Sequence, residues 1–258
     1  MRSCLFFIIA DLLFKPGDNK MKEYEILPVG DHAVLIEFGN VIDEEINKKV
    51  IIFSNSIRRH SITGVIDVLS TYRSVMVFYD NSKTNFFRLK KTINKISISK
   101  DNSTDVKARK LLIPVCYEDK YSKDLYDMES ALGLSKDEII NIHSEGEYKV
   151  FMLGFLPGFV YLGGLDKRIH MPRLETPRTT IPERSVGIGG NQTGVYPMES
   201  PGGWRLIGKT PVDFYNPQKT EPILCQPGDY IKFFRITSSE YKAIRTDVQQ
   251  GNYIVDVI

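Results

Sequence analysis

Five arginines lie within one loop-rich stretch of this 258-residue chain. A planar guanidinium can hold a carboxylate or a phosphate through two parallel hydrogen bonds, so this set points to anion binding. Arg173 and Arg178 each follow a proline, and the stiffened backbone favours these two as the binding residues. The full set is Arg168, Arg173, Arg178, Arg184 and Arg205.

Neutral polar side chains in the same stretch could orient a bound ring beside the arginines. We expect Gln192, Thr193 and Tyr196 to take this part, with His170 added because it stands close to Arg173 in sequence. A lone histidine is more often a structural residue, and a single arginine is more often a solvated surface charge. The candidate site therefore depends on a fold that brings these side chains together.

Glycine and proline are concentrated in this stretch. Eleven of the 19 glycines and six of the 13 prolines fall between Gly154 and Gly208, which predicts a long, irregular but specified path. We expect Gly194 to take a positive φ in a tight turn. Trp204, the single tryptophan, is expected in a core or an interface.

One segment imitates a phosphate-binding loop. Gly203 to Thr210 matches the pattern GxxxxGK[ST], which works when the final residue opens a helix whose N-terminus faces the phosphates. Here Pro211 follows, no helical pattern continues, and the interior is bulky. We predict a strand with flanking turns instead.

Other catalytic arrangements are not evident in the sequence. The four histidines are scattered without a Cys, Asp or Glu at metal-ligand spacing, so no metal site is predicted. No GxSxG nucleophile motif occurs. We therefore name no catalytic residue, only candidate binding residues.

Composition limits the class of protein. The chain is 42% apolar and 26% charged with a net charge of +2, which is typical of a soluble protein and favours neither nucleic acid nor membrane as partner. Three widely spaced cysteines suggest reduced thiols and a cytoplasmic location. Residues 1–20 are interpreted as an extension of unclear status, because Asp11 interrupts the apolar run that a signal peptide needs.

The pattern of elements predicts an α+β protein with two domains. Residues 21–105 follow the order β-β-α-β-β-α, which indicates a small α/β sandwich with helices on one face of a sheet. Residues 106–258 carry short strands with long loops, typical of a β-barrel or sandwich. In this part we expect helices at 124–132, 136–143 and 238–245, and a closing strand at 253–257.

Four sequence blocks resemble a known family. They are GFLPGFVYL (154–162), PRLETPR (172–178), SVGIGGNQTGVYP (185–197) and SPGGWRLIGKTP (200–211). The chain from Met21 to about Ile258 resembles the family of 5-oxoprolinase B subunits, which includes the sporulation-kinase inhibitor KipI and was formerly labelled as the first subunit of allophanate hydrolase. The resemblance implies an N-terminal α/β domain followed by a cyclophilin-like β-barrel.

The same resemblance implies a function within a complex. Family members are understood to act with the C and A subunits to hydrolyse 5-oxoproline to glutamate, using ATP. It leaves two alternatives open: a regulatory module that inhibits a histidine kinase, and a component of an allophanate hydrolase. The resemblance does not assign catalytic residues to this chain, so the site remains Arg173, Arg178, Gln192, Thr193, Tyr196 and His170.

Overall fold

Alternating apolar residues build the N-terminal part of the chain as one antiparallel sheet. The computed structural model describes residues 24–96 and 108–258. The sheet has the strand order β1-β2-β4-β3, and every neighbouring pair is antiparallel. Its strands are β1 (Glu25–Val29), β2 (Ala33–Glu37), β3 (Val65–Ser70) and β4 (Ser74–Tyr79).

Two helices cover one face of this sheet. Helix α1 (Glu44–Arg59) begins where the Asp43 side chain accepts hydrogen bonds from the amides of two residues in the first turn, and α2 (Phe86–Ile93) is capped by Asn85 through one such bond. The apolar stripes of both helices pack into one core with the inward-facing strand residues. The predicted order β-β-α-β-β-α is confirmed.

The rest of the chain forms a closed seven-stranded barrel, so the predicted α+β class is confirmed. Its strands follow the order β10-β7-β6-β13-β5-β12-β9. β5 and β13 are parallel, whereas the other neighbouring pairs are antiparallel. The strands are β5 (Lys110–Cys116), β6 (Glu147–Leu153), β7 (Val160–Gly163), β9 (Ser185–Gly189), β10 (Gln192–Val195), β12 (Arg205–Lys209) and β13 (Tyr230–Ile236).

A two-stranded sheet and three helices lie outside the barrel. The sheet pairs β8 (Arg178–Ile181) with β11 (Ser200–Gly202). The helices are α3 (Leu125–Leu132), α4 (Lys136–Glu145) and α5 (Ser238–Gln250). Helix α5 extends past the predicted end at residue 245, because Gly251, in the left-handed region, supplies the stop.

Two sequence expectations fail in the barrel domain. The predicted closing strand at 253–257 is wrong: Val257 makes an isolated bridge to Leu111 in place of a ladder. Gly194 has no positive φ, since it lies inside β10. A Cβ at Gly194 would instead lie 2.5 Å from the Val160 carbonyl oxygen and 2.9 Å from the Trp204 ring, so close approach requires this glycine.

The segment that imitates a phosphate loop is a strand, as predicted. Residues 205–209 form β12, which pairs with β9 and β5. Thr210 is fully buried and its amide donates to the Arg184 carbonyl, so no helix N-terminus is available there.

The barrel interior holds a buried polar chain centred on His143. The Thr193 hydroxyl donates to the Gly187 carbonyl at 3.0 Å and lies 2.9 Å from His143 Nε2, and the Tyr117 hydroxyl lies 2.8 Å from Nδ1. Nε2 therefore carries the proton, and Nδ1 accepts from Tyr117. The ring stacks on Phe233 at 4.9 Å between centroids.

One buried amide joins the two domains. Asn47 on α1 is fully buried, and its Nδ2 lies 3.1 Å from the carbonyl oxygens of Thr71, Tyr72 and Phe151. The first two belong to the turn between β3 and β4, and the third belongs to β6 of the barrel. This contact fixes the β3–β4 turn against the barrel wall.

The expected domain boundary at 105/106 and the extension at 1–20 lie outside the described residues. Within the part that the structure describes, no helix has the length and apolar content to cross a membrane. Cys116 and Cys225 are free, buried thiols.

The packing of Trp204 predicts the effect of a single methyl group. In Gly189→Ala the new Cβ would meet the indole at 2.5 Å, so Trp204 must move. We expect a loss of about 2–3 kcal/mol in unfolding free energy. Because Trp204 is the single tryptophan, its fluorescence can follow unfolding in denaturant. Gly203→Ala is the control, since its Cβ has no neighbour closer than 3.6 Å. Equal stability of both variants would contradict this packing.

His143 predicts a dependence of stability on pH. Burial lowers its pKa to about 3, whereas the ring takes up a proton near pH 6.5 once the chain unfolds. Its contribution is thus complete above pH 6.5 and is lost as the pH falls towards 3. Between pH 6.5 and 5 the loss is about 2 kcal/mol.

Unfolding free energies of the wild type and of His143→Gln, measured between pH 5 and 7, check this prediction. We expect the His143→Gln profile to be flatter by the stated amount, and the profile of His32→Gln, at an exposed position, to keep the wild-type slope. Parallel profiles for all three proteins would show that His143 takes up its proton equally in the folded and unfolded states, and would contradict this prediction.

Candidate functional site

An aromatic cluster covers the outer face of the barrel wall formed by β7, β10, β9 and β12. Phe159 is its centre, with ring centroids 4.8 Å from Tyr161, 5.1 Å from Tyr196 and 5.5 Å from Trp204. The indole of Trp204 lies against the glycine positions of β9 and β10. A flat, rigid, apolar floor is thereby attached to the barrel.

Arg173 lies over this floor. The centre of its guanidinium is 5.7 Å from the Trp204 ring, the geometry of a cation–π contact. The side chain is exposed, and it has no carboxylate partner within residues 24–96 and 108–258. Burial raises the pKa of Tyr72, Tyr161 and Tyr196, and the charge of Arg173 acts against that rise at all three hydroxyls, which places it near them.

The other four arginines of the stretch are each engaged by a carboxylate. Arg168 binds Asp166 through two hydrogen bonds, and Arg184 contacts Glu183 and Asp213. Arg205 lies 3.7 Å from Asp127, and Arg178 is paired as described below. Arg173 is thus the arginine of the set whose charge is available to a ligand.

The N-terminal domain contributes Tyr72 to the same place. The Gln192 side chain donates a hydrogen bond to the Tyr72 hydroxyl, and the Tyr72 ring lies 5.9 Å from Tyr161 and 5.8 Å from Phe151. Because burial raises the pKa of Tyr72 and of Tyr161, both phenols stay protonated near neutral pH and can donate.

Together, these side chains favour the binding of one class of ligand. Arg173 supplies a positive charge, Tyr72 and Tyr161 supply hydroxyl donors, and Gln192 fixes one of those hydroxyls. Beside them, the aromatic floor offers an apolar surface to a small ring. The arrangement fits a small cyclic anion whose charged group meets Arg173.

Arg178 takes a different place from the one expected. Its guanidinium forms a bidentate pair with Asp124, at 2.6 and 3.0 Å, and Asp124 is almost fully buried. Asp124 also accepts from the Leu206 amide at 2.6 Å. Both terminal nitrogens of the Arg178 guanidinium therefore already bind a carboxylate of the same chain, and this pair links β8 to the start of α3.

Three further candidates have internal partners. Thr193 belongs to the buried chain around His143 and is fully enclosed. His170 Nε2 donates to the Leu165 carbonyl at 3.0 Å and closes the turn around the 3-10 helix Lys167–Ile169. Tyr196 is 2% exposed within the aromatic cluster, and burial raises its pKa to about 12. These three support the site rather than face it.

The sequence interpretation missed Tyr72 and Tyr161. Tyr72 stands in a turn of the other domain, and no periodicity indicates that this turn meets the barrel. Tyr161 alternates with the buried Val160 and Leu162 on β7, so its outward direction could have been inferred from the strand pattern.

Among the described residues, no group of three or more His, Cys, Asp or Glu side chains lies close enough to share a metal ion.

The Arg178–Asp124 pair predicts a structural effect. Arg178→Ala leaves a buried carboxylate with one amide donor, so we expect a loss of about 2–4 kcal/mol in unfolding free energy. Arg168→Ala removes a similar bidentate pair from the surface, where solvent screens it, and should leave the unfolding free energy close to that of the wild type. Denaturant unfolding of both variants is the measurement. An Arg178→Ala protein as stable as the wild type would return Arg178 to the list of ligand-binding candidates.

Comparison with known proteins agrees with this architecture. Residues 24–225 match the family model described as carboxyltransferase domain, subdomain C and D. The chain is similar to the 5-oxoprolinase B subunit of Bacillus subtilis, with 40% identity over 234 residues that cover 87% of this chain and 98% of that protein. The corresponding B subunit of Haemophilus influenzae is 36% identical over 211 residues, covering 81% and 96%.

More distant similarity extends to larger proteins. The urea amidolyase of Lachancea kluyveri is 25% identical over 258 residues, and the match covers 88% of this chain but 14% of that protein. Among solved structures, TTHA0988 superposes with a TM-score of 0.72 at 31% identity, covering 81% of this chain and 40% of that chain.

The K. lactis urea amidolyase has a TM-score of 0.76 at 23% identity, with 96% of this chain and 17% of that chain covered, a likeness of fold alone. The matches cover nearly the whole length of the two bacterial subunits. The chain therefore belongs to the family of 5-oxoprolinase B subunits.

Proposed function

We propose that this chain is the B subunit of a cytoplasmic, ATP-dependent 5-oxoprolinase that hydrolyses 5-oxo-L-proline to L-glutamate. The relatives named as B subunits of 5-oxoprolinase support the complex, and Arg173, without a carboxylate partner among the described residues and beside Tyr72 on an aromatic floor, supports the site. The substrate is a five-membered cyclic amide with a carboxylate, which corresponds in size and charge to that arrangement.

The chemistry of a lactam explains why such a site needs a cation. A lactam carbonyl is a poor electrophile, and transfer of a phosphoryl group from ATP to its oxygen makes the carbon open to attack by water. Charge on the substrate carboxylate and on the phosphorylated oxygen must be balanced as it develops. Arg173 would pair with one of these groups, while Tyr72 and Tyr161 donate to the substrate's oxygen atoms.

The chain would act with partners. Arg173 is exposed beside the aromatic floor, and the tyrosines and Gln192 near it supply hydrogen-bond donors. We propose that the C and A subunits supply the missing groups and that ATP is used by the complex. Alone, the chain would show no turnover.

A second candidate rests on the more distant relatives. The match to urea amidolyase from Lachancea kluyveri covers 88% of this chain, so a role in an allophanate- or urea-processing complex is the alternative. Allophanate, like 5-oxoproline, offers a carboxylate next to an amide, and Arg173 would serve either. The inhibition of a histidine kinase stays a prediction that these observations do not test.

Replacing Arg173 tests the proposed site. In the complex reconstituted with the C and A subunits and ATP, Arg173→Gln should lower kcat/KM for 5-oxoproline by roughly 100-fold, because a charge-assisted contact is lost. The variant should keep its stability, since no ion pair of the described residues is broken. Glutamate formation is the readout, and Arg168→Gln is the matched control at a surface pair.

Three results would contradict the proposal. A full rate without this chain would show that it is not a subunit of the enzyme. A full rate with Arg173→Gln would remove Arg173 from the site. Turnover of allophanate but not of 5-oxoproline by the same complex would favour the second candidate.

A further inference from the structure

A second group of basic side chains lies at the opposite end of β12 from Trp204. Lys209 is the last residue of β12, and it pairs in register with Ser185 and with Cys116. Arg184 precedes Ser185, and its carbonyl accepts from the amide that follows Lys209, at 3.0 Å. The pairing of β12 with β9 therefore places Lys209 beside Arg184, which lies in the turn just before β9.

Helix α5 adds a third cation to this group. Arg245 lies 2.6 Å from Asp213, and Arg184 lies 3.3 Å from the same carboxylate oxygen. Arg245 also donates a hydrogen bond to the Pro211 carbonyl at 3.1 Å. One carboxylate is thus shared between two guanidinium groups.

Positive charge exceeds negative charge in this group. The group contains four cations and two carboxylates, an excess of two positive charges, and among the described residues only Arg184 and Arg245 form ion pairs with those carboxylates. Burial lowers the pKa of the Lys209 amine, and Arg184, Arg245 and Lys120 lower it further, whereas Glu183 acts in the opposite direction. The members are Lys120, Arg184, Lys209 and Arg245 with Glu183 and Asp213.

One donor of the group has no partner among the described residues. Arg184 is 8% exposed, and its guanidinium is engaged by Glu183, Asp213 and the Tyr241 hydroxyl. The Lys209 ammonium is half-buried and makes no hydrogen bond or ion pair with any residue that the structure describes. An anion would give the Lys209 ammonium a partner and balance the excess charge around it.

We propose that Lys209, Arg184 and Arg245 bind a small doubly charged oxyanion of the phosphate class. The charge matches the excess of the group, and the oxygens of the anion can accept from the Lys209 ammonium while the guanidinium groups of Arg184 and Arg245 add positive charge beside it. No helix begins at this end of β12, so side chains, and not the amides of a helix N-terminus, would hold the anion. The site is separate from Arg173, since a five-residue strand lies between Trp204 and the end of β12, and it does not rest on the proposed function.

Phosphate titration of the full chain tests the site. At constant ionic strength set with chloride, calorimetry with inorganic phosphate should show saturable binding to the wild type. Lys209→Met should weaken it by at least about 10-fold, whereas Lys209→Arg should retain it. Lys219→Met, which removes an exposed lysine from the loop after Asn216, is the matched control and should bind like the wild type.

A second measurement separates binding from a structural role. Without phosphate, Lys209→Met should unfold at the same temperature as the wild type or higher, because it removes a charge repelled by its neighbours. With phosphate, the wild type should gain thermal stability and Lys209→Met should not.

A parallel titration with ADP distinguishes a nucleotide phosphate from free phosphate as the bound anion. Tighter, Lys209-dependent binding of ADP would assign the site to a nucleotide phosphate, and binding of inorganic phosphate alone would assign it to the free ion. An absence of saturable binding of either, or equal binding to the wild type and Lys209→Met, would overturn the proposal.

Discussion

The contact between Trp204 and the bare backbone of β9 and β10 is the constraint on which the site depends. An indole can lie flat on a barrel wall only where the strands carry no Cβ beneath it, and Gly189 and Gly194 meet that condition. Once seated, the ring fixes Phe159 and Tyr196 by edge contacts and gives Arg173 a surface on which to rest. The concentration of glycine in this stretch is therefore explained by packing as much as by turns.

The site also requires that the two domains keep a fixed position relative to each other. Tyr72 belongs to the sandwich, Gln192 belongs to the barrel, and their hydrogen bond exists only while the β3–β4 turn stays against β6. Asn47 holds that turn with a single buried amide, although its own Oδ1 has no partner among the described residues. A buried polar group of this kind costs stability but permits one geometry, which suits a site made from two domains.

Local features of the chain were predictable and long-range pairings were not. Ser135, an N-cap residue followed by apolar residues at helical spacing, marks the helix predicted at 136–143, which the structure confirms as α4. The predicted strand at 253–257 failed because alternation also occurs in a terminal segment that makes one bridge. Arg173 was found from its Pro-Arg context, but nothing local shows that Arg178 would meet Asp124, 54 positions earlier. Such partners are set by tertiary structure, about which residue periodicity carries no information.

The position of β13 in the barrel has a consequence for how the chain is made. β13 lies between β5 and β6, so the barrel cannot close until residues 230–236 have left the ribosome. The sandwich, built from neighbouring hairpins, is complete in sequence by residue 93 and can fold during translation. For the intervening time the nascent β5 and β6 expose unpaired edges, and chaperones that shield such edges would matter most for this half of the protein.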